Sequence, residues 1–305
     1  MNPKWWPIVW LLITVAVLVN PFPVFHRFSR AWLFRRFGKL MFPGIGMVKF
    51  SDFWLGDQMT SLGFVFGSLP LFVCTYTTGF QPDWSDKCGN KTNIWLGAFV
   101  LAALPLLIRL VQSMRRFADS GLHTHLLNAG KYGLGVASQL CYYLWRHHGG
   151  RGTLFFVWII FNTIYVISAG SWDVWFDMSL LRRRAKHPWL RDELMYSDAV
   201  WSYWFAMLYN TLTRFAFVIY IPAVGPNDYL RSFIVSVLEI TRRIMWNFFR
   251  LENEHIGNVD QYRATREVPL PYALENVEAH RRAETEDDDA SVWETVGTTT
   301  AVASR

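Results

Sequence analysis

The sequence predicts an all-α fold, a polytopic membrane helical bundle of about seven transmembrane helices, and three observations lead there. Hydrophobic residues make up 52% of the 305-residue chain and aromatic residues 17%, with 16 tryptophans, more apolar than water-soluble domains of this size. Apolar stretches of about 20 residues, enough to cross a bilayer, recur along it. The net charge of +6 comes from basic residues beside those stretches, the pattern of orientation signals rather than of a nucleic-acid surface.

The expected spans are Trp5–Val24, Asp57–Gly79, Ile94–Gln112, Asn128–Trp145, Thr153–Ser171, Ala199–Pro222 and Tyr229–Phe249. In the first, Trp5, Trp6 and Trp10 act as interfacial anchors, and Pro21 and Pro23 follow without a small-x-small site, so it is read as a helix and not a signal peptide. His26–Arg36 then reads as a basic amphipathic helix on the cytosolic surface, with Phe28, Trp32 and Phe37 toward lipid. Gly130, Gly133 and Gly135 dilute the fourth span, so six spans is the alternative count; small residues also let membrane helices approach closely.

Orientation follows from the loops. Arg27, Arg30, Arg35, Arg36, Lys39, Lys49, Arg115, Arg116, Arg182, Arg183, Arg184, Lys186 and Arg191 fall on one side; Lys87, Lys91, Arg146 and Arg151 fall on the other. The first set marks the cytosol, which also places the C-terminus there. The Phe80–Asn93 loop, on the opposite side, carries Asn90 in an Asn-Lys-Thr sequon and Cys88, which suits a lumenal loop. Cys74 and Cys88 are a candidate disulfide in an oxidising compartment, with Cys141 left over; unpaired thiols are the alternative. From Ala283 onward the chain is acidic, polar and without apolar periodicity, so a disordered tail is expected.

Charges inside the apolar stretches carry the chemistry. On the last span Glu239, Arg242, Arg243, Trp246 and Arg250 fall at i, i+3, i+4, i+7 and i+11, one helical stripe. The second span begins with Asp57, Thr60 and Ser61 and the fourth with Asn128, Lys131 and Tyr132; the sixth holds Asn210 and Arg214, and Asp173 and Asp177 close the fifth. An ionised group in hydrocarbon costs about 2.5–3.5 kcal/mol on insertion scales, so such groups face a bundle interior, a watery path or a partner. Inward-turned stripes would line a tunnel suited to an oxyanion, whose oxygens match the guanidinium fork. The acids would hold the arginines and keep binding weak enough for release. The alternative is an internal salt bridge of Glu239 with Arg242 or Arg243; Arg250 is expected to snorkel to the cytosolic interface, with Lys131 intermediate.

Other chemistry finds little support. His123 and His125, expected in a cytosolic loop, and His147 and His148, expected in a lumenal one, have no carboxylate or cysteine at ligand spacing, so no metal site is expected. Neither a nucleophile-elbow nor a zincin motif occurs, and an enzyme or a bound cofactor is not expected.

These residues also carry a resemblance. WNFFRLENEHIGNVDQYRATREVPLP, at Trp246–Pro271, is similar to the C-terminal signature of the EXS domain of eukaryotic phosphate exporters of the xenotropic and polytropic retrovirus receptor type. SDFWLGDQMTSL, RLVQSMRRFADS, HLLNAGKY and SWDVWFDMSLL extend it over about residues 20 to 271. The resemblance implies export of inorganic phosphate from the cytosol, with Lys131, Tyr132, Arg214, Arg242 and Arg243 binding phosphate. Asp57, Thr60, Ser61, Asn128, Asp173, Asp177, Asn210, Glu239 and Trp246 would line or organise the tunnel, with Trp246 on the gate side. Residues 1–25 would be a first transmembrane helix, 26–56 a basic amphipathic segment, 57–271 the EXS membrane domain and 272–305 a cytosolic tail.

Thr60 and Gly63 stand where some relatives carry Asn and Ser, Phe217 where Trp is common, and Ala98 where another arginine is expected. These departures affect the outer part of the tunnel. Long exporters carry an SPX domain that senses inositol pyrophosphates; the chain shows none, so no such sensing is expected. The Golgi or the plasma membrane would be the compartment, and a homodimer is left open. The rival function is a Golgi protein that retains or recycles resident glycosylation enzymes without transport.

Overall fold

The computed structural model describes residues 2–265 except 82, 90 and 184. The sequon residue Asn90, Arg184 of the basic loop and the tail 272–305 lie outside the described residues. Two compact units divide the chain, Met1–Asn253 and Glu254–Arg305; the architecture below is that of the first. All regular structure among the described residues is helical: α1 (Trp6–Val19), α2 (Arg27–Leu40), α3 (Phe50–Thr60), α4 (Gly63–Thr77), α5 (Trp84–Cys88), α6 (Ile94–Ser120), α7 (His123–His148), α8 (Thr153–Trp172), α9 (Trp201–Arg214) and α10 (Asp228–Thr265).

Ile94–Ser120 and Thr153–Asp177 are each long and apolar enough to cross a bilayer. The pair α3 and α4 makes a third such span if counted as one, bent by 55° at its break. The first expected span holds a shorter apolar helix of 14 residues. Helices α7, α9 and α10, on the other expected spans, carry the buried polar side chains that lower their hydropathy.

Local chemistry explains the irregularities. Between α1 and α2 the chain turns around Arg30, which is buried and donates to the carbonyls of Val17 (2.6 Å), Phe22 (3.0 Å) and Val24 (2.8 Å). The α3–α4 break follows Thr60, whose hydroxyl donates to the Asp57 carbonyl at 2.8 Å, a local bond of the type that competes with regular helix. Helix α8 passes into a π-helical turn at Asp173–Asp177, where the Met178 N–H donates to the carbonyl of Asp173, five residues back; such wide turns gather at functional sites. Helix α9 tightens into a 3₁₀ turn at Phe215–Tyr220. His123 and His125 open α7 and His147 and His148 close it, not the loops expected for them, because this 26-residue helix extends past its apolar stretch at both ends.

Two aromatic cores flank the middle of the bundle. Trp145, Phe155, Trp158, Phe217 and Tyr220 form one, with Val235 of α10 packed against it. Met178, Leu190, Tyr203, Trp246 and Phe249 form the other. Along α10, Glu239 to Arg243 therefore lie between two apolar clusters. Cys74 of α4 is bonded to Cys88 at the end of α5, with Cα atoms 5.7 Å apart, and Cys141 is a free thiol.

Candidate functional site: a buried cation cluster

The α10 stripe sets up the site. Arg242, fully buried, donates to Glu239 (2.5 and 2.8 Å), to Asp173 Oδ2 (3.2 Å) and to Asn210 Oδ1 (3.0 Å). Arg214, at the end of α9, donates to the same Asp173 oxygen at 2.6 and 3.1 Å. Two guanidinium groups thus converge on one carboxylate carried by the π turn. Removing one member of such a buried pair leaves an uncompensated charge and costs about 3–5 kcal/mol.

Arg243, one residue on, faces the α3–α4 break instead. Its Nε donates to Ser61 Oγ at 2.7 Å and its Nη2 to Thr60 Oγ1 at 3.2 Å, and its guanidinium lies 4.5 Å from the Trp246 ring centre. Ser61 Oγ in turn donates to Glu239 Oε1 at 2.7 Å. Lys131 of α7 sits over the rings of Tyr132 (4.4 Å) and Trp172 (4.9 Å). Both cations are 8% exposed, and among the described residues neither has a carboxylate oxygen within 4.0 Å.

Asp57 belongs to a second acid-centred group. Its Oδ1 accepts from Arg109 Nε (2.8 Å) and from the Tyr132 hydroxyl (2.6 Å), and Arg109 Nη1 donates to Gln112 at 2.8 Å. Gly56 makes this approach possible, since a Cβ there would lie 2.7 Å from Arg109 Cδ. The Tyr132 hydroxyl expected to meet phosphate is engaged by Asp57 and Arg109.

Asp57, Thr60, Lys131, Tyr132, Asp173, Asp177, Arg214, Glu239 and Arg243 all line one cavity of about 30 Å³, joined by Tyr165 and Ala169. That is room for two or three waters, at about 10–15 Å³ each. A tetrahedral oxyanion is larger, so its passage requires the lining to yield. Ser61, Arg242 and Trp246 are bonded to wall residues and Asn210 accepts from Arg242, but none of the four lines the cavity. Asn128 is turned instead to Ser113, to which its Nδ2 donates at 3.1 Å.

Trp246 is fully buried, and its Nε1 donates to Asp177 Oδ2 at 3.2 Å. Arg250, expected to snorkel, is 8% exposed, lies 3.9 Å from Asp177 and stacks over Phe50 and Phe53. The start of α3 covers this end of α10, which is why the side chain does not reach an interface. Lys131, expected close to a helix start, lies more than two turns into α7, whose first turn begins at His123.

A vestibule of about 260 Å³ is lined by Ser138, Gln139, Asn162 and Ser236 and reaches Arg146 and Tyr229. Gly63, Ala98 and Phe217, three of the four positions where the sequence departs from the expected pattern, are on its wall; Thr60, the fourth, lines the inner cavity.

Sequence reasoning missed Arg109 and Tyr165. Arg109 could have been found, because it interrupts the apolar run LAALPLLIRLVQ as a lone intramembrane charge. Tyr165 carries no such signal in an apolar, aromatic helix. Also missed was the amide pair of Gln58 and Asn247, bonded at 2.7 and 3.2 Å, which ties α3 to α10.

The profile of the EXS family matches residues 1–256. The chain is 35% identical over 271 residues to SPX and EXS domain-containing protein 3 of Dictyostelium discoideum, covering 86% of this chain and 29% of that protein. It is 36% identical over 270 residues to Protein SYG1 of Saccharomyces cerevisiae (82% and 29%). It is 32% identical over 280 residues to Phosphate transporter PHO1 homolog 10 of Arabidopsis thaliana (88% and 35%). The chain thus spans about a third of the length of these three relatives.

Proposed function

The chain belongs to the EXS family and is an integral membrane protein, and we propose that it carries inorganic phosphate out of the cytosol and so contributes to intracellular phosphate homeostasis. The observation that carries this reading is the pair Arg243 and Lys131, two buried cations on the wall of one polar cavity with no carboxylate within 4.0 Å among the described residues. One similar protein is named a phosphate transporter, which supports phosphate as the oxyanion.

The chemistry divides the cluster. Arg214 and Arg242, held on Asp173, contribute positive field from fixed positions. Arg243 donates to neutral hydroxyls, bonds weaker than those to charged acceptors and so readily exchanged for phosphate oxygens. The broken α3–α4 helix brings those hydroxyls to the site, as discontinuous helices do in transporters. Asp57, Asp173, Asp177 and Glu239 moderate the positive charge, which keeps phosphate exchangeable. Trp246, stacked against Arg243 and bonded to Asp177, serves as the gate-side aromatic in this reading. The basic loops support a cytosolic side for that end.

The test is phosphate flux in proteoliposomes. A hydrogen bond to a charged group contributes about 1.5–3 kcal/mol, so Arg243→Ala should lower flux by roughly tenfold or more. Unchanged flux in this variant, or none in the native chain, would contradict the reading.

A further inference from the structure

Beyond the vestibule, on the Cys74–Cys88 side, lies a wider mouth of about 710 Å³. Arg146, Tyr220 and Tyr229 line both spaces, which therefore adjoin. Lys91, Arg146, Arg151 and Arg231 face the mouth against two carboxylates, Asp86 and Asp228.

The three arginines are held differently. Arg231 is a fixed strut, donating to the carbonyls of Pro226 (2.7 Å), Pro222 (2.8 Å) and Val224 (3.2 Å). Arg151 donates to the carbonyls of Ile221 and Tyr220, which position it without cancelling its charge. Arg146 donates through Nη1 to Asp228, whose side chain is 49% exposed. Its Nε is buried and, among the described residues, has no hydrogen-bond partner. A guanidinium with one idle buried donor and an exposed, exchangeable counter-ion is suited to trading that counter-ion for an anion.

We infer that this mouth is a second oxyanion site, at which a small tetrahedral anion leaving the vestibule replaces Asp228 on Arg146. Arg151 and Lys91 supply the surrounding field, which focuses anions at a charged cleft. The inference rests on the phosphate reading above and adds an exit-side station to it.

The test titrates radiolabelled inorganic phosphate onto the full chain in phosphatidylcholine nanodiscs. The native chain should show two binding phases; Arg146→Gln with Arg151→Gln should remove one and Arg243→Ala the other. Asp228→Asn, which removes the competing carboxylate, should tighten the mouth phase roughly tenfold. Two phases persisting in the arginine double variant, a native isotherm with a single phase lost in Arg243→Ala, or an unshifted Asp228→Asn isotherm would overturn the site. If Arg243→Ala kept both phases while the double variant lost one, the central reading would fail and the mouth would stand. Phosphatidylserine in the nanodisc should leave the mouth phase intact; its loss would give the site to lipid headgroups and overturn the assignment to free phosphate.

Discussion

Arg242 and Arg243 are neighbours on one helix, and their surroundings are opposite. Arg242 lies in a closed network with Glu239, Asp173 and Asn210, whereas among the described residues the Arg243 guanidinium donates to the hydroxyls of Thr60 and Ser61, beside a cavity. The same side chain therefore serves two ends. An arginine bonded to acids holds helices together, and on the proposed reading one bonded to hydroxyls is the one that meets an incoming anion. Sequence position alone does not distinguish them; the α3–α4 break and the π turn do.

That contrast is open to attack from both sides. The largest expected effect is on stability: Asp173→Asn strands Arg214 and leaves Arg242 with Glu239 as its one carboxylate partner, and should cost about 3–5 kcal/mol, seen as a marked fall in Tm and folded yield in detergent. Arg243→Ala should leave Tm nearly unchanged by comparison. If the two variants were equally destabilised, the distinction would collapse.

Cys88→Ser offers a control remote from the cavity. Opening a loop of about 15 residues should cost about 3 kcal/mol, yet the phosphate concentration for half-maximal flux should not move. A shift there would mean that the mouth beside this disulfide or global stability, not the Arg243 cavity, sets the response.

Gly135→Ala sharpens the cavity side. The added Cβ would lie 2.9 Å from Tyr165 Cε2, and overpacking of this kind costs about 1–3 kcal/mol. Because Tyr165 lines the cavity, flux should fall beyond what the Tm loss explains; a fall matching Tm alone would make Tyr165 a packing residue.

Ser61→Ala is the mildest. It removes one bond to Arg243 and one to Glu239, both of which keep other partners, so the loss should fall at the low end of the range for bonds to charged groups, about 1.5 kcal/mol. Half-maximal flux should shift severalfold with the maximal rate nearly kept.

Much of this arrangement was legible beforehand. Charges at helical spacing on α10 marked one wall, and Asp57, Lys131, Asp173 and Arg214 were visible as isolated polar residues in apolar sequence. What stayed hidden was pairing. Nothing in the chain order of Arg214, Asp173 and Arg242 says that one carboxylate oxygen accepts from both arginines, because that depends on how three helices pack. The fate of Arg250 was hidden for the same reason: a side chain at an expected interface snorkels only if nothing covers it, and Phe50 and Phe53 of α3 do. The departures Gly63, Ala98 and Phe217 looked scattered in the sequence and share one vestibule wall in space.

The central claim is that Arg243 faces a hydrated passage open to phosphate. Thr60, bonded to Arg243 and on the cavity wall, reports on this as Thr60→Cys in a Cys141→Ser background, treated with a small negatively charged thiol reagent in proteoliposomes. The account predicts modification that inorganic phosphate slows and that Arg243→Ala weakens. A cysteine at this position that stays unreactive from both sides while the protein still transports phosphate would contradict it.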